Sequence, residues 1–413
     1  SRKHKAYHCK FRHKGNFILR PFSPTRRNTT INQSFCIFYM TNRKLRIANF
    51  IPSLSGGGAE RVVINLCASF PRNEVQPILI AGSLTGPFTN SIAADVEIVD
   101  LKCANIRHTI GPLRDYVRQA NLDLLISHLS HANLATLWAM RKLHKLNQKQ
   151  DLGLPEIAVV EHMTMSAYRG EKWRDKFIRP LARRLYKSAD QVVAVSNAAA
   201  RDLEQQLRLP PSSVTTIYNP VVSAHIHNCC QEPLQHSFVE HHSGPLIVAA
   251  GRLSEQKDYP TLIQAFAQLQ STLPSRLAIL GDGEERTNIE ALIDKLGLAD
   301  RVCLVGFTEN PYQWMHQADL YVLSSRWEAL PTVLIEAMAC GCNVVSTDCP
   351  SGPAEILGDR FAHRLTPCGN PSALATAITQ ALDAPLDADE VIRHASQFDF
   401  NTAARRYMEL LSL

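Results

Sequence analysis

Two glutamates, Glu328 and Glu336, are separated by the seven residues Ala329 to Ile335 in the stretch SSRWEALPTVLIEAMACG. One carboxylate stands ahead of a turn and the other enters a helix, so the pair can contact separate parts of one elongated ligand. Sugar and ribose hydroxyls are suitable donors to such acceptors. Two cations, Arg252 and Lys257, follow the apolar run LIVAAG five residues apart. At the carboxyl end of a strand they could hold a diphosphate, arginine through its planar fork and lysine as a point charge. A pair of solvated surface charges is the competing reading. Gly281-Asp282-Gly283 follows the next apolar run and permits close backbone approach to a ligand. Gly56-Gly57-Gly58 lies between a strand pattern and a helix pattern, where backbone N–H groups favour an anion. A plain tight turn accounts for those glycines equally well. Neither G-x-G-x-x-G nor G-x-x-x-x-G-K-[ST] occurs.

The elements that must position these residues alternate in type. LRIANFI opens the first half as a short apolar run of the kind buried in a parallel sheet, and AERVVINLCASF after the glycines has a helical apolar period. VQPILIA (75–81), VEIVDL (96–101), LDLLIS (122–127), EIAVVE (156–161) and QVVAVS (191–196) are further strand candidates with helical segments between most of them. The second half restarts after Pro245 with the same grammar. This predicts an α/β fold of two doubly wound, Rossmann-like domains facing across a cleft, where the carboxyl ends of parallel strands bind ligands. The expected organisation is a basic tail (1–39), a first domain (40–221), a linker (222–244), a second domain (245–390) and a C-terminal helix (391–413) that packs back on the first domain.

The chain of 413 residues is 45% hydrophobic and 20% charged, which excludes a disordered polyelectrolyte. No run approaches the ~18 apolar residues of a membrane span. The net charge of +6 is unevenly placed: residues 1–39 carry nine Lys or Arg and no acid, leaving 35 basic against 38 acidic residues in the rest. Such a tail fits a transit peptide, a basic arm or, the favoured reading, an N-terminal extension ahead of an ordinary start at Met40. A nucleic-acid partner would rest on that tail alone and is not expected. Eleven cysteines without a cleavable signal sequence point to a reducing compartment. Cys229 and Cys230 sit among histidines, yet neither they nor Cys340 and Cys342 have the paired spacing of a zinc site.

GGGAERVV, GRLSEQK, LAILGDGEER, RVCLVGF and SSRWEALPTVLIEAMACGCNVVSTDCPSGPAEIL resemble, in order, the retaining glycosyltransferases of family 4, which have the GT-B fold. The likeness runs from about Leu45 to the end, and SHLSHANLA, AVVEH, VVAVSNAAARDL and TTIYNPV look like the family's acceptor-side segments. The resemblance implies that Arg252 and Lys257 stabilise the donor diphosphate, that Glu328 contacts the donor sugar, and that Leu330-Pro331-Thr332 supplies backbone groups beside it. It implies that Glu336 binds the ribose, that Gly57 and Gly58 close on the diphosphate, and that Gly306 and Phe307 frame the base; Gly283, in the Gly281-Asp282-Gly283 loop, is a further donor-binding candidate. His128 would stand near the reacting sugar, with His131 a weaker candidate. Ala329 departs from the Gly or Ser usual after the first glutamate; at a position needing positive φ it would shift the loop.

The implied reaction moves a hexose or N-acetylhexosamine from a nucleotide-diphosphate sugar, UDP being favoured, to a lipid-linked or glycan acceptor in surface polysaccharide biosynthesis. Charge developing on the leaving diphosphate would be opposed by Arg252 and Lys257. With no carboxylate placed as a covalent nucleophile, front-face attack assisted by the leaving phosphate is favoured. No cofactor and no metal are expected; Asp387-Ala388-Asp389 reads as a helix start. The basic, aromatic-interleaved segment 168–190 could rest on an anionic membrane, which with the absence of a span suggests a cytoplasmic protein peripheral to the inner face of the cell membrane. A sugar-nucleotide 2-epimerase on the same scaffold and a non-catalytic basic-tail binding protein are the alternatives.

Overall fold

The computed structural model describes residues 6–10, 18–22, 43–55, 57–150, 153–166, 175–240, 244–270 and 273–411. The chain divides into two compact units, Ser1–Arg43 and Lys44–Ser412. In the first, β1 (Ala6–Lys10) pairs antiparallel with β2 (Ile18–Phe22), Ala6 opposite Phe22 and Lys10 opposite Ile18. The tail has no apolar alternation that would announce these strands. Their pairing is backbone to backbone, and Pro21 is tolerated because a two-stranded ribbon leaves half its N–H groups unpaired.

The second unit holds two parallel sheets. The first consists of β3 (Leu45–Ile51), β4 (Val75–Ala81), β5 (Glu97–Asp100), β6 (Leu124–His128), β7 (Glu156–Glu161), β8 (Gln191–Ala194) and β9 (Thr215–Thr216), in the order β5-β4-β3-β6-β7-β8-β9. The second consists of β10 (Leu246–Ala250), β11 (Arg276–Leu280), β12 (Val302–Gly306), β13 (Leu320–Leu323), β14 (Val344–Thr347) and β15 (Leu365–Thr366), in the order β12-β11-β10-β13-β14-β15. Every pairing within both sheets is parallel. All residues of β6, β10, β11, β13 and β14 are buried, because helices cover both faces and leave no solvated side to alternate toward.

Each sheet reverses its strand order once, between β3 and β6 in the first and between β10 and β13 in the second. Ligands bind at such switch points because neighbouring loops there leave in opposite directions and open a crevice. The glycine loop follows β3, the Arg252 loop follows β10 and the Glu328 loop follows β13, so topology brings three of the sequence-selected motifs to crevices.

Segment 222–244 breaks every sequence period, yet it contains two short helices, Ala224–Cys230 and Ser237–Glu240. Their anchors, Ile226, Cys230 and Phe238, are too few to show as a helical period. The helix Phe400–Met408 touches the helix Gly58–Ser69 of the first lobe. Val221 and Val222 N–H both donate to Phe398 O at 3.0 Å, and Gln191 Nε2 donates to Leu410 O at 3.4 Å. The last residues of the second lobe's chain therefore rest on the first lobe.

Candidate functional site

Gly251 follows β10 at φ +149°, and a Cβ there would lie 2.9 Å from Lys257 Cε and 3.3 Å from the Tyr259 hydroxyl. The missing side chain leaves room for Lys257 to lie across the strand end. A single 3₁₀ turn, Glu255–Lys257, carries the lysine, and Ser324 Oγ donates to its carbonyl at 2.7 Å. Lys257 Nζ meets Glu328 Oε1 at 2.6 Å with both side chains largely buried. Glu328 Oε1 also accepts from Ser325 Oγ at 2.7 Å and Oε2 from Gln256 Nε2 at 3.2 Å. Arg252 remains 74% exposed and pairs with Glu284 at 3.0 Å, a contact loose enough to yield to a stronger anion.

Gly251, Arg252, Gln256, Lys257 and Glu328 line one cleft of about 900 Å³ between the two sheets. Glu336, on the helix Thr332–Ala339, reaches it from the same lobe; burial raises its carboxyl above the ordinary range, and Arg61 and Lys257 oppose the rise. No hydrogen bond to that carboxylate is made among the described residues. Leu330, Pro331 and Thr332 line the cleft beside it. Behind them the Ser351-Gly352 turn packs flush: Ser351 Oγ donates to Ala329 O at 3.0 Å, and a Cβ on Gly352 would lie 2.5 Å from Pro331 Cδ. Ala329 is not among the residues with positive φ, so alanine introduces no strain at this position.

Gly57 and Gly58 face the cleft from the first lobe, Gly58 opening the helix Gly58–Ser69 with nothing within 4 Å of where a Cβ would be. Gly56 lies outside the described residues. Arg61, one turn into that helix, also lines the cleft, its guanidinium 4.6 Å from the Phe88 ring centroid. Phe307 lines the far end and is 68% exposed. Gly306 and Gly283 do not line it. Gly306, at φ +83°, makes the turn that projects Phe307, and a Cβ on Gly283 would collide with Leu253 O at 2.3 Å. Both glycines shape the loops around the cleft rather than its wall.

His128 requires a correction. The expectation placed it beside the reacting sugar, but the residue is fully buried at the end of β6 and does not line the cleft. The lining histidine is His162, immediately after β7, whose Nε2 lies 3.0 Å from His128 Nδ1. Burial depresses both imidazoles, His162 to about 4 and His128 well below its usual value with His162 as a further cause. His162 stands inside AVVEH, a segment the sequence reading singled out without choosing its histidine. His131 is exposed on the helix Ser130–Gln150 and also lies outside the lining.

Residues 232–398 match the family Glycosyl transferases group 1, and residues 56–224 match Glycosyltransferase Family 4. The solved structure of HepE from Anabaena in complex with UDP superposes with a TM-score of 0.69 at 22% identity, covering 90% of this chain and 100% of that one. This chain is a GT-B glycosyltransferase of group 1, family 4. A Campylobacter jejuni relative, N-acetylgalactosamine-N,N'-diacetylbacillosaminyl-diphospho-undecaprenol 4-alpha-N-acetylgalactosaminyltransferase, is 28% identical to the glycosyltransferase over 369 residues, 88% of this chain and 95% of that protein. The lipopolysaccharide core biosynthesis glycosyltransferase LpsE of Rhizobium meliloti is 35% identical over 136 residues, 33% of this chain and 39% of that protein.

Other sequence candidates find structural uses in the glycosyltransferase. Asp387 caps the helix Ala388–Ala395, accepting from Glu390 N–H at 2.8 Å. Cys229 Sγ lies 3.5 Å from His225 Nδ1, and no third ligating side chain joins them among the described residues. Of the basic segment, residues 167–174 lie outside the described residues; Asp175–Leu185 is a helix whose Ala182 and Leu185 are buried in the first lobe's core. Arg179 and Arg183 bond within the same lobe, while Leu181, Arg184 and Lys187 stay exposed. No described helix is long and apolar enough to cross a membrane.

Proposed function

We propose that this glycosyltransferase moves a hexose or N-acetylhexosamine, with retention of anomeric configuration, from a UDP-sugar to a lipid-linked or glycan acceptor in surface polysaccharide biosynthesis. The observation that carries the reading is the Lys257–Glu328 pair at the second sheet's switch point, with the exposed Arg252 beside it and the helix N-terminus at Gly58 across the cleft. A diphosphate between them meets a point charge, a planar fork and free N–H groups, all opposing the charge that develops as the sugar–phosphate bond breaks. Glu336, a carboxylate without a donor among the described residues, is suited to accept from the ribose hydroxyls. The names of the relatives support the acceptor class, one acting on a diphospho-undecaprenol-linked sugar and another in lipopolysaccharide core biosynthesis. HepE, solved with UDP, supports the nucleotide.

The state of Glu328 supports a route without a covalent intermediate. Both of its oxygens accept hydrogen bonds, from Lys257 and Ser325 on one and Gln256 on the other, which lowers their nucleophilicity. Those contacts suit a group that holds a sugar hydroxyl better than one that attacks carbon. The acceptor hydroxyl then enters on the face the diphosphate leaves, and its proton passes to a leaving phosphate oxygen. A thermal-shift screen of nucleotide sugars tests the reading: a UDP-sugar raises the melting temperature of the full chain, and Glu336→Ala or Arg252→Ala removes the rise. A screen in which no nucleotide sugar shifts the melting temperature refutes it.

A further inference from the structure

Three adjacent strands of the first sheet each end near one polar side chain, and those side chains form a hydrogen-bonded row. Asn49 lies on β3, His128 closes β6 and His162 follows β7; β6 runs between the other two. Asn49 and His128 are fully buried, and only His162 reaches the cleft. His128 Nε2 lies 3.0 Å from Asn49 Oδ1, and His128 Nδ1 lies 3.0 Å from His162 Nε2.

The proton positions follow from which atoms can donate. An amide oxygen only accepts, so His128 Nε2 must carry the proton of the first bond. A neutral imidazole has one N–H, which leaves His128 Nδ1 as a bare acceptor. His162 Nε2 must therefore donate to it, and the lone pair of His162 falls on Nδ1. Burial keeps both rings neutral, as their lowered titration requires. At one end of the row Asn49 Nδ2 is buried without a hydrogen-bond partner among the described residues, and the Cys67 thiol lies near the same amide; at the other end His162 Nδ1 is turned to the cleft.

We infer that Asn49 and His128 are positioning residues that fix His162 in the Nε2–H tautomer, so that its Nδ1 offers the cleft a neutral acceptor for a sugar hydroxyl. The tautomer rests on the orientation of the Asn49 amide, with Oδ1 against His128; the hydroxyl as ligand rests on the proposed donor cleft. An imidazole held this way is oriented by one buried and one part-buried hydrogen bond, for which bulk solvent competes little. An amide turned end for end would put Asn49 Nδ2 against His128 and reverse every proton in the row, so the two arrangements are distinguishable by direct observation.

The experiment is long-range proton–nitrogen NMR of the full chain labelled with ¹⁵N-histidine, at about pH 7.5, where a free histidine would be mostly neutral and a mixture of tautomers. His162→Gln assigns the signal by its loss. The expected result is His162 protonated on Nε2 and bare on Nδ1. Asn49→Leu, which removes the acceptor, should give His162 a mixture of tautomers and lower kcat about 10²-fold with donor KM little changed. Asn49→Asp keeps the acceptor and should restore the Nε2–H form. A wild-type His162 protonated on Nδ1 or on both nitrogens overturns the inference, and so does a folded Asn49→Leu with unchanged tautomer and kcat. If Asn49→Leu does not fold, the wild-type spectrum and Asn49→Asp still decide. The expected tautomer in a chain that transfers no sugar would leave this inference standing and refute the donor-cleft reading.

Discussion

Single residues in this cleft are set by what surrounds them more than by their own chemistry. Glu328 and Glu336 are eight positions apart on one chain segment, yet one accepts three hydrogen bonds, one of them from the largely buried Lys257, while the other has no donor among the described residues. The histidines show the same control. His162 is held at about 4 against an ordinary 6.5, so the folded state disfavours its charged form. A depressed folded value means stability that is complete above 6.5 and is lost as the pH falls toward 4, because only the unfolded chain takes up the proton in that window. The melting temperature of the wild type should therefore fall between pH 6.5 and 4. In a His128→Asn, His162→Gln double variant the fall should be visibly shallower. Parallel pH curves for the two chains would show that the histidines do not carry this dependence. The positions of Arg252, Lys257, Glu328 and Glu336 were legible in the sequence because each is a charged residue beside a strand end or helix start. His128 misled because it shares those local features; what separates it from His162 is burial, which no local pattern of LLISH or AVVEH encodes.

At the scale of elements, the loops following the strands do the positioning, and their glycines fall into two kinds. Gly281 has φ +128° and a Cβ there would lie 2.1 Å from Gly251 O, backbone against backbone. Gly58 is helical, and open space surrounds it. Gly281→Ala should cost about 2 kcal/mol or more, since neither the clash nor the left-handed backbone can relax cheaply. Gly58→Ala should leave stability unchanged or raise it by about 0.5–1 kcal/mol, while raising donor KM if that helix start closes on the diphosphate. Chemical denaturation and donor titration of both variants separate the cases; a Gly58→Ala chain with wild-type KM would remove the loop from the donor site. The strand positions were legible from their apolar runs, with VQPILIA and EIAVVE matching the strands to the residue. The helices at 224–230 and 237–240 and the ribbon β1–β2 were not, because their few contacts are made to distant parts of the chain or through backbone pairing.

For the whole molecule, the relation between the two lobes rests on a small number of side chains. Glu355, at the start of the helix Pro353–Leu357 in the second lobe, accepts from Asn197 N–H at 2.7 Å, Asn197 Nδ2 at 2.6 Å and Tyr218 OH at 2.8 Å. It thereby caps the first-lobe helix Asn197–Leu207 across the gap, where a carboxylate also complements the helix dipole. Ser196 Oγ meets Ser351 Oγ at 3.0 Å, and Ser351 in turn braces Ala329 of the donor loop. Glu355→Ala should lower stability by about 1–3 kcal/mol and widen the ligand-free molecule in small-angle scattering. An unchanged radius of gyration would mean the clasp does not set the lobe spacing. The sequence by itself determined the two α/β lobes, their strand runs and the charged residues at the strand ends, because apolar periodicity and turn chemistry are local properties of the chain. Only the tertiary structure decided which side chains share the cleft, that His162 rather than His128 faces it, and that Glu355 joins the lobes. Those facts depend on strand order and on contacts spanning more than a hundred residues, where a linear pattern carries no distance.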